Sequence, residues 1–375
     1  MERDGARTER ISTKKLVYPL RRAILWTPIF HKETFSGILM YMLRVGVIRG
    51  GVSGEYEVSL ASGAQVLLHL RSDKLKDKYK AVDIFIDQDG IWHINGIPTP
   101  IDKVVPKVDV IINALHGDYG EDGKVQQELE RWNIPYTGSG PLASAIGYNK
   151  FLSKQEFAKL GINTPRHILF PVYQEDFDGP REEYAAKKAK EVWERLPPPW
   201  IVKPLTGGSS MGMHICKTFK SLVSAFEVGV NEKVSVLVEE FIKGKEATVG
   251  VIDEFRGKKV YALPPIEIRI PKTSSFFDNE VKYNGKSQEI CPGNFTDKEK
   301  RELERLASLI HTGLDLSHYS RSDFIIHPKK GIYALEVNTL PGLTGESLMP
   351  KALDAVGSSL PEFIEHLIKL AQNRR

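Results

Sequence analysis

Four stretches of the chain carry residue types suited to handling a charged small molecule. In Trp200-Ile-Val-Lys-Pro-Leu-Thr-Gly-Gly-Ser-Ser-Met-Gly212, an apolar strand ends in Lys203 and runs into a loop containing Gly207, Gly208, Ser209, Ser210 and Gly212. Glycines let successive backbone N–H groups converge, and such a nest beside an ammonium suits phosphate. The lysine precedes the glycines, so this is neither a Walker loop nor a GxGxxG turn. In a second stretch, Arg321-Ser-Asp323 and Glu336-Val-Asn338 sit on two neighbouring strands. Alternation along each strand puts Glu336 and Asn338 on one face, with Asp323 joining them from the next strand. These hard oxygen donors suit Mg²⁺ or Mn²⁺ bridging nucleotide phosphates. In the third, Val236-Leu-Val-Glu239 leads through Glu240–Ile242, whose backbone is suited to an adenine edge, with Glu239 and Glu246 placed for ribose hydroxyls. The fourth set is dispersed: Gly50–Glu55, His116–Gly123, Asp278–Tyr283 and Pro341–Leu348 are polar, and most are glycine-bearing loops following strands. Ligands of α/β sheets bind at such loops.

Those loops need a scaffold, and the hydrophobic pattern outlines one. The 375 residues are 41% hydrophobic and 27% charged, a soluble globular composition too long for one simple core. Strand–helix alternation over 45–140, with the apolar run Val108–Leu115, predicts a parallel α/β layer. Val82–Ile86 and Ile91–Ile94 read as a hairpin around Asp87-Gln-Asp-Gly90, a turn rather than a calcium loop, because the distal glutamate is missing. Helices are expected over 57–70, 124–132, 141–160, 181–196, 297–313 and 360–372. The predicted divisions are an extension at 1–44, an N-terminal α/β unit at 45–148, a central unit at 149–239 and a C-terminal unit at 240–375. The basic, irregular 1–44 stretch reads as a poorly ordered extension without signal-peptide layout. Met40 or Met42, just before the first strand, is a candidate true start; a native peptide from 1–39 would exclude it.

Net charge is only +4, with 52 basic against 48 acidic residues, which argues against nucleic acid as a partner. The two cysteines, Cys216 and Cys291, have neither disulfide-framework nor zinc spacing, in keeping with a reducing cytoplasm. No apolar run reaches about 18 residues, so no membrane helix is expected.

Taken in order, the motifs His-Gly-x-x-Gly-Glu-Asp-Gly, Pro-Tyr-Thr-Gly-Ser-Gly, Val-Lys-Pro-x-x-Gly-Gly-Ser-Ser-x-Gly, Lys-Tyr, Glu-x-Asn-x-x-Pro-Gly-Leu-Thr and Ser-Leu-x-Pro resemble the D-alanine–D-alanine ligase family. The resemblance spans about residues 45–370 and implies an α/β, three-domain ATP-grasp fold, with ATP between the central and C-terminal sheets. It implies that Lys150 and Lys203 contact phosphates, that Ser209–Gly212 (with Ser210) close over the γ-phosphate, that Glu239, Ile242 and Glu246 contact adenosine, and that Lys282 is a further nucleotide contact. Asp323, Glu336 and Asn338 are implied ligands of two Mg²⁺ or Mn²⁺ ions. Glu55 would hold the ammonium of the first D-alanine, with Ser209 and Tyr283 hydrogen-bonded in the same closed site; His116 would bind substrate, Arg321 and the Gly342 N–H would face an oxyanion, and Ser347 and Leu348 would grip the second substrate's carboxylate.

The implied activity is ATP-dependent synthesis of D-alanyl-D-alanine through an acyl phosphate, for peptidoglycan precursors, by a homodimer. The alternative is an enzyme of the same fold that uses D-lactate or D-serine as acceptor; the Lys282-Tyr283 pair resembles the dipeptide-forming subgroup. A nucleotide-binding protein without turnover would be expected to lack Arg321, Lys203 or a metal ligand. Three departures from the family pattern stand out: Tyr148-Asn149-Lys150 in place of Met-Asp-Lys, Gln127 in place of a common glycine, and Gly293 where alanine usually follows Cys-Pro.

Overall fold

A computed structural model describes residues 42–208, 211–269 and 288–374, forming one compact unit. Ser209, Ser210, Lys282, Tyr283 and the extension up to residue 41 lie outside the described residues.

The first sheet contains β1 (Leu43–Gly50), β2 (Tyr79–Ile86), β3 (Trp92–Ile94), β4 (Ile97–Pro98) and β5 (Val110–Asn113), in the order β4-β3-β2-β1-β5. β1 pairs in parallel with β2 and β5. The expected hairpin is present as antiparallel β2 and β3, with Asp87 Oδ1 accepting from the N–H groups of Asp89 and Ile91 in the turn. Every residue of β5 is buried, as its unbroken apolar run requires.

The second sheet is antiparallel: β6 (His167–Phe170), β7 (Trp200–Pro204), β8 (His214–Cys216) and β9 (Val236–Glu240), ordered β6-β9-β7-β8. The helices Arg181–Arg195 and Phe219–Glu232 close a core that includes Phe170, Val192, Trp200 and Phe226. The third sheet comprises β10 (Lys245–Asp253), β11 (Val260–Ala262), β12 (Ile266–Arg269), β13 (Gln288–Ile290), β14 (Tyr319–His327) and β15 (Gly331–Asn338). Its order is β13-β12-β10-β14-β15, with β11 also on β10. Helix Asp297–Gly313 starts on a capping box between Thr296 and Glu299 and buries Leu303, Leu306 and Ile310 against this sheet.

Two features depart from the pattern-based outline. The helical stretch 141–160 is two helices, Pro141–Tyr148 and Lys150–Lys159, broken at Asn149, which has extended backbone angles and caps the second helix through Phe151 N–H and Leu152 N–H. An asparagine does this as well as the aspartate usual in the family, so that departure keeps the local structure. The terminal helix Leu360–Gln372 lays Phe363, Ile364, Leu367 and Ile368 into one core with Val45, Val47 and Val110 of the first sheet. The first sheet therefore takes part of its core from the far end of the chain.

Candidate active site

β7 delivers Lys203 to the cleft because Trp200 and Val202 are anchored in the core behind it. In the neighbouring antiparallel strand, Glu239 lies opposite Ile201 and so shares a face with Lys203. Lys203 Nζ stands 3.0 Å from Glu239 Oε1, and the same oxygen is 3.0 Å from Nζ of the fully buried Lys154. Burial pushes the Glu239 carboxyl up, but the two ammonium groups overcome it and hold the pKa down at about 2. Burial opposes the Lys203 charge, yet Glu239 and then Glu336 more than offset it, so its pKa lies above the usual lysine value. Glu239, expected at the ribose, is paired here with two lysines.

Lys150, at the start of the next helix, donates Nζ to the carbonyl of Gly207 in the glycine loop, and burial lowers its pKa. Across the cleft, β14 and β15 pair Arg321 with Asn338 and Asp323 with Glu336, and a bulge follows at Asp323/Phe324. Leu335 is the extra residue of that bulge, while Glu336 and Asn338, two positions apart in unbroken register, both line the cleft. Arg321 clasps Asp323 in a fork, Nε to Oδ1 at 3.0 Å and Nη2 to Oδ2 at 3.1 Å; Thr248 Oγ1 also donates to Asp323. Burial works against the Arg321 charge, but Asp323 raises its pKa. Asn338 Oδ1 accepts from Leu340 N–H at 2.9 Å.

Just past β9, the amides of Glu240 and Phe241 donate to Arg166 O and Pro199 O, whereas Ile242 N–H has no partner among the described residues. Of the three amides in the expected backbone edge, this leaves that of Ile242 as the available donor. Glu246 enters from β10, where burial and then the Asp323 charge lift its carboxyl to about 7.

At the other end, Glu55 lies between two glycine loops. A Cβ at Gly208 would stand 2.7 Å from Glu55 Oε2, and one at Gly117 would stand 3.2 Å from it. Buried His116 contacts Ser62 Oγ at 2.9 Å and Glu121 at 3.5 Å. Glu121 also accepts from Gly117 N–H, and its pKa is raised by burial first and by Glu55, against the pull of His116. The loop 341–347 folds back on itself, with Ser347 Oγ accepting from Thr344 N–H at 3.1 Å. A Cβ at Gly342 would come within 2.8 Å of Ser347 Oγ. Ser347 begins helix Leu348–Ala355, whose N-terminus carries the partial positive charge that favours a carboxylate.

One cavity of about 280 Å³ is lined by Glu55, His116, Lys150, Lys203, Glu239, Ile242, Glu246, Arg321, Asp323, Glu336, Asn338, Gly342, Ser347 and Leu348, whereas Gly212 of the glycine loop does not line it. Sequence reasoning missed Glu121, which lines it too, although it stands inside the His116–Gly123 motif. It also missed Lys154, whose helical spacing reads as surface. The Gly293 departure is steric, since a Cβ there would lie 2.3 Å from the Phe295 ring. Gln127 is exposed on helix Lys124–Arg131.

A lysine and glycine loop on one antiparallel sheet, facing carboxylates on another, is the layout of an ATP-grasp ligase, and comparison with known proteins agrees. The family model described as D-ala D-ala ligase C-terminus matches residues 157–369, and the one described as D-ala D-ala ligase N-terminus matches 44–100 and 97–139. The chain belongs to the D-alanine–D-alanine ligase family of ATP-dependent enzymes. It is 38% identical over 331 residues to the D-alanine–D-alanine ligase of Geobacter sulfurreducens, covering 88% of this chain and 94% of that protein. Among solved structures, it resembles the Bacillus anthracis D-alanine–D-alanine ligase complexed with ATP, with a TM-score of 0.69, 30% identity and coverage of 88% and 98%. It also resembles the VanG D-Ala:D-Ser ligase of Enterococcus faecalis, with a TM-score of 0.72, 27% identity and coverage of 88% and 99%.

Proposed function

We propose that the chain uses ATP to join two D-alanine molecules, supplying D-alanyl-D-alanine for peptidoglycan precursors. The supporting observation is the convergence of the phosphate-type lysines, the cation-type oxygens and the substrate-type loops on one cavity. The carboxylate of the first D-alanine attacks the γ-phosphorus, the bond to ADP breaks, and an acyl phosphate forms. The amine of the second D-alanine attacks the acyl carbon, and phosphate departs.

Lys150 and Lys203 balance charge on the phosphates, Ile242 receives the adenine, and Glu246 lies toward the ribose. Glu55, beside His116, holds the first ammonium. Arg321 and Gly342 N–H face the developing oxyanion, where each donor is worth about 3–4 kcal/mol. Ser347 and Leu348, at their helix N-terminus, take the second carboxylate. Ser209, Ser210, Lys282 and Tyr283 retain the roles their motifs imply.

Two carboxylates and an amide oxygen on one face of β14–β15 fit Mg²⁺ or Mn²⁺, which is commonly held by one or two carboxylates together with substrate phosphates. Asp323, Glu336 and Asn338 would hold it, and when bound it neutralises phosphate charge. We place the enzyme in the cytoplasm, where ATP is available; no described helix is long and apolar enough to cross a membrane. We also expect a homodimer, which light scattering at twice the chain mass would show.

The test is ADP release with Mg²⁺ and ATP, offering D-alanine alone, then D-alanine with D-serine or D-lactate, with L-alanine as control. Release with D-alanine alone, and a dialanine product by mass, supports the reading. Release only with a mixed pair would transfer the assignment to a D-serine or D-lactate acceptor; the likeness to the D-Ala:D-Ser ligase supports including D-serine.

A further inference from the structure

Lys154 is the buried cation with no part in the chemistry above. Its side chain is fully buried, and its Nζ lies 3.0 Å from each of Thr164 Oγ1, the Leu335 carbonyl and Glu239 Oε1. Burying an ammonium is costly unless every donor is engaged, so three fixed partners mark a built position. Two of the partners, Glu239 and Leu335, line the cavity. Glu239 is the carboxylate that also pairs with Lys203. Leu335 is the extra residue of the β15 bulge, so its carbonyl faces Lys154 immediately before Glu336. Lys150 and Lys154 stand one turn apart on helix Lys150–Lys159, so one helix face sends Lys150 to the glycine loop and Lys154 to the floor beneath it.

We propose that Lys154 is a positioning residue that keeps the Lys203 charge directed at the nucleotide phosphates by sharing the single carboxylate of Glu239. Two ammonium groups facing one carboxylate leave a net positive charge, and the accessible one is on Lys203, which lines the cavity. Without Lys154, Glu239 and Lys203 form a closed neutral pair, and a phosphate must compete with Glu239 for the lysine. The burial that draws the Lys154 pKa down to about 8 leaves it mostly charged at neutral pH, and Glu239 counteracts the loss. The inference rests on the reading that Lys203 meets phosphate.

The experiment compares ATP and adenosine binding to the full chain by displacement of a fluorescent nucleotide, for the wild type, Lys154→Met and Lys154→Arg. The expected result is ATP affinity about tenfold weaker in Lys154→Met, adenosine affinity unchanged, and ATP affinity largely restored in Lys154→Arg. In turnover, KM for ATP rises in Lys154→Met while kcat at saturating ATP changes little. Equal weakening of ATP and adenosine would reduce Lys154 to a structural residue, and unchanged ATP affinity would remove the proposal. If Lys154→Met does not fold, Thr164→Val removes one anchor without touching the charge and should weaken ATP selectively but less; no selective loss there would also overturn it. Binding needs no D-alanine, so failure here is separate from failure to make the dipeptide.

Discussion

Gly208→Ala isolates the contact between the glycine loop and Glu55. Gly208 has an ordinary backbone φ, so alanine brings no conformational strain, and its effect comes from space alone. The added Cβ would sit 2.7 Å from Glu55 Oε2, closer than real Cβ atoms approach, and 3.2 Å from both Cδ and Oε1. The carboxylate is the far end of a rotatable side chain, so the fold survives and Glu55 turns aside. A charge-assisted hydrogen bond to an ammonium is worth about 1.5–3 kcal/mol, so losing it raises KM for the first D-alanine about 10- to 100-fold. ATP affinity, measured by nucleotide displacement, should stay within about twofold, and the melting temperature should hold within a few degrees. Gly207→Ala is the matched control. It meets nothing within 4 Å but sits at φ +98°, so it should lower loop order and ATP use rather than D-alanine affinity alone. An unchanged KM for D-alanine in Gly208→Ala would refute the placement of Glu55 at the first ammonium.

Arg321→Ala should cut turnover about 10²- to 10³-fold, and Arg321→Lys should recover little because the ammonium cannot reproduce the fork on Asp323. Isothermal titration should show ATP binding largely retained in both, and wild-type-like rates would remove the oxyanion role. Glu246→Gln tests a carboxyl whose folded pKa, about 7, lies above its ordinary value. The folded protein keeps a proton that the unfolded chain releases, so the stability linked to Glu246 is present below about pH 4.5 and is lost as pH rises to 7. Urea unfolding should therefore find Glu246→Gln more stable than the wild type by about 3 kcal/mol at pH 8, with the gap closing near pH 4. A gap independent of pH would mean that Glu246 is charged in the folded state.

The elements readable from the sequence are those specified by neighbours. Helix Asp297–Gly313 is bounded by a local capping box, the β2–β3 hairpin by Asp87 in its own turn, and Lys203 by the apolar strand beneath it. The site residues were legible for a related reason: they cluster in loops after strands, where glycine and polar residues interrupt an apolar pattern. The break at Asn149 was hidden because Tyr148-Asn149-Lys150 continues a helical period, and only the side chain's turn onto Phe151 and Leu152 N–H ends the first helix. The sharing of the first sheet's core with Phe363 and Leu367 was hidden because the partners lie some three hundred residues apart. Lys154 shows the limit most sharply. In the sequence it is one more lysine on a helix without a marked apolar face, yet the fold carries it to within 3.0 Å of Glu239, 85 positions away. A buried charge acquires meaning only from the opposite charge that the sheets bring to it. The residues that line the cavity can therefore be read from motifs, while a buried ion pair such as that of Lys154 with Glu239 must be read from packing.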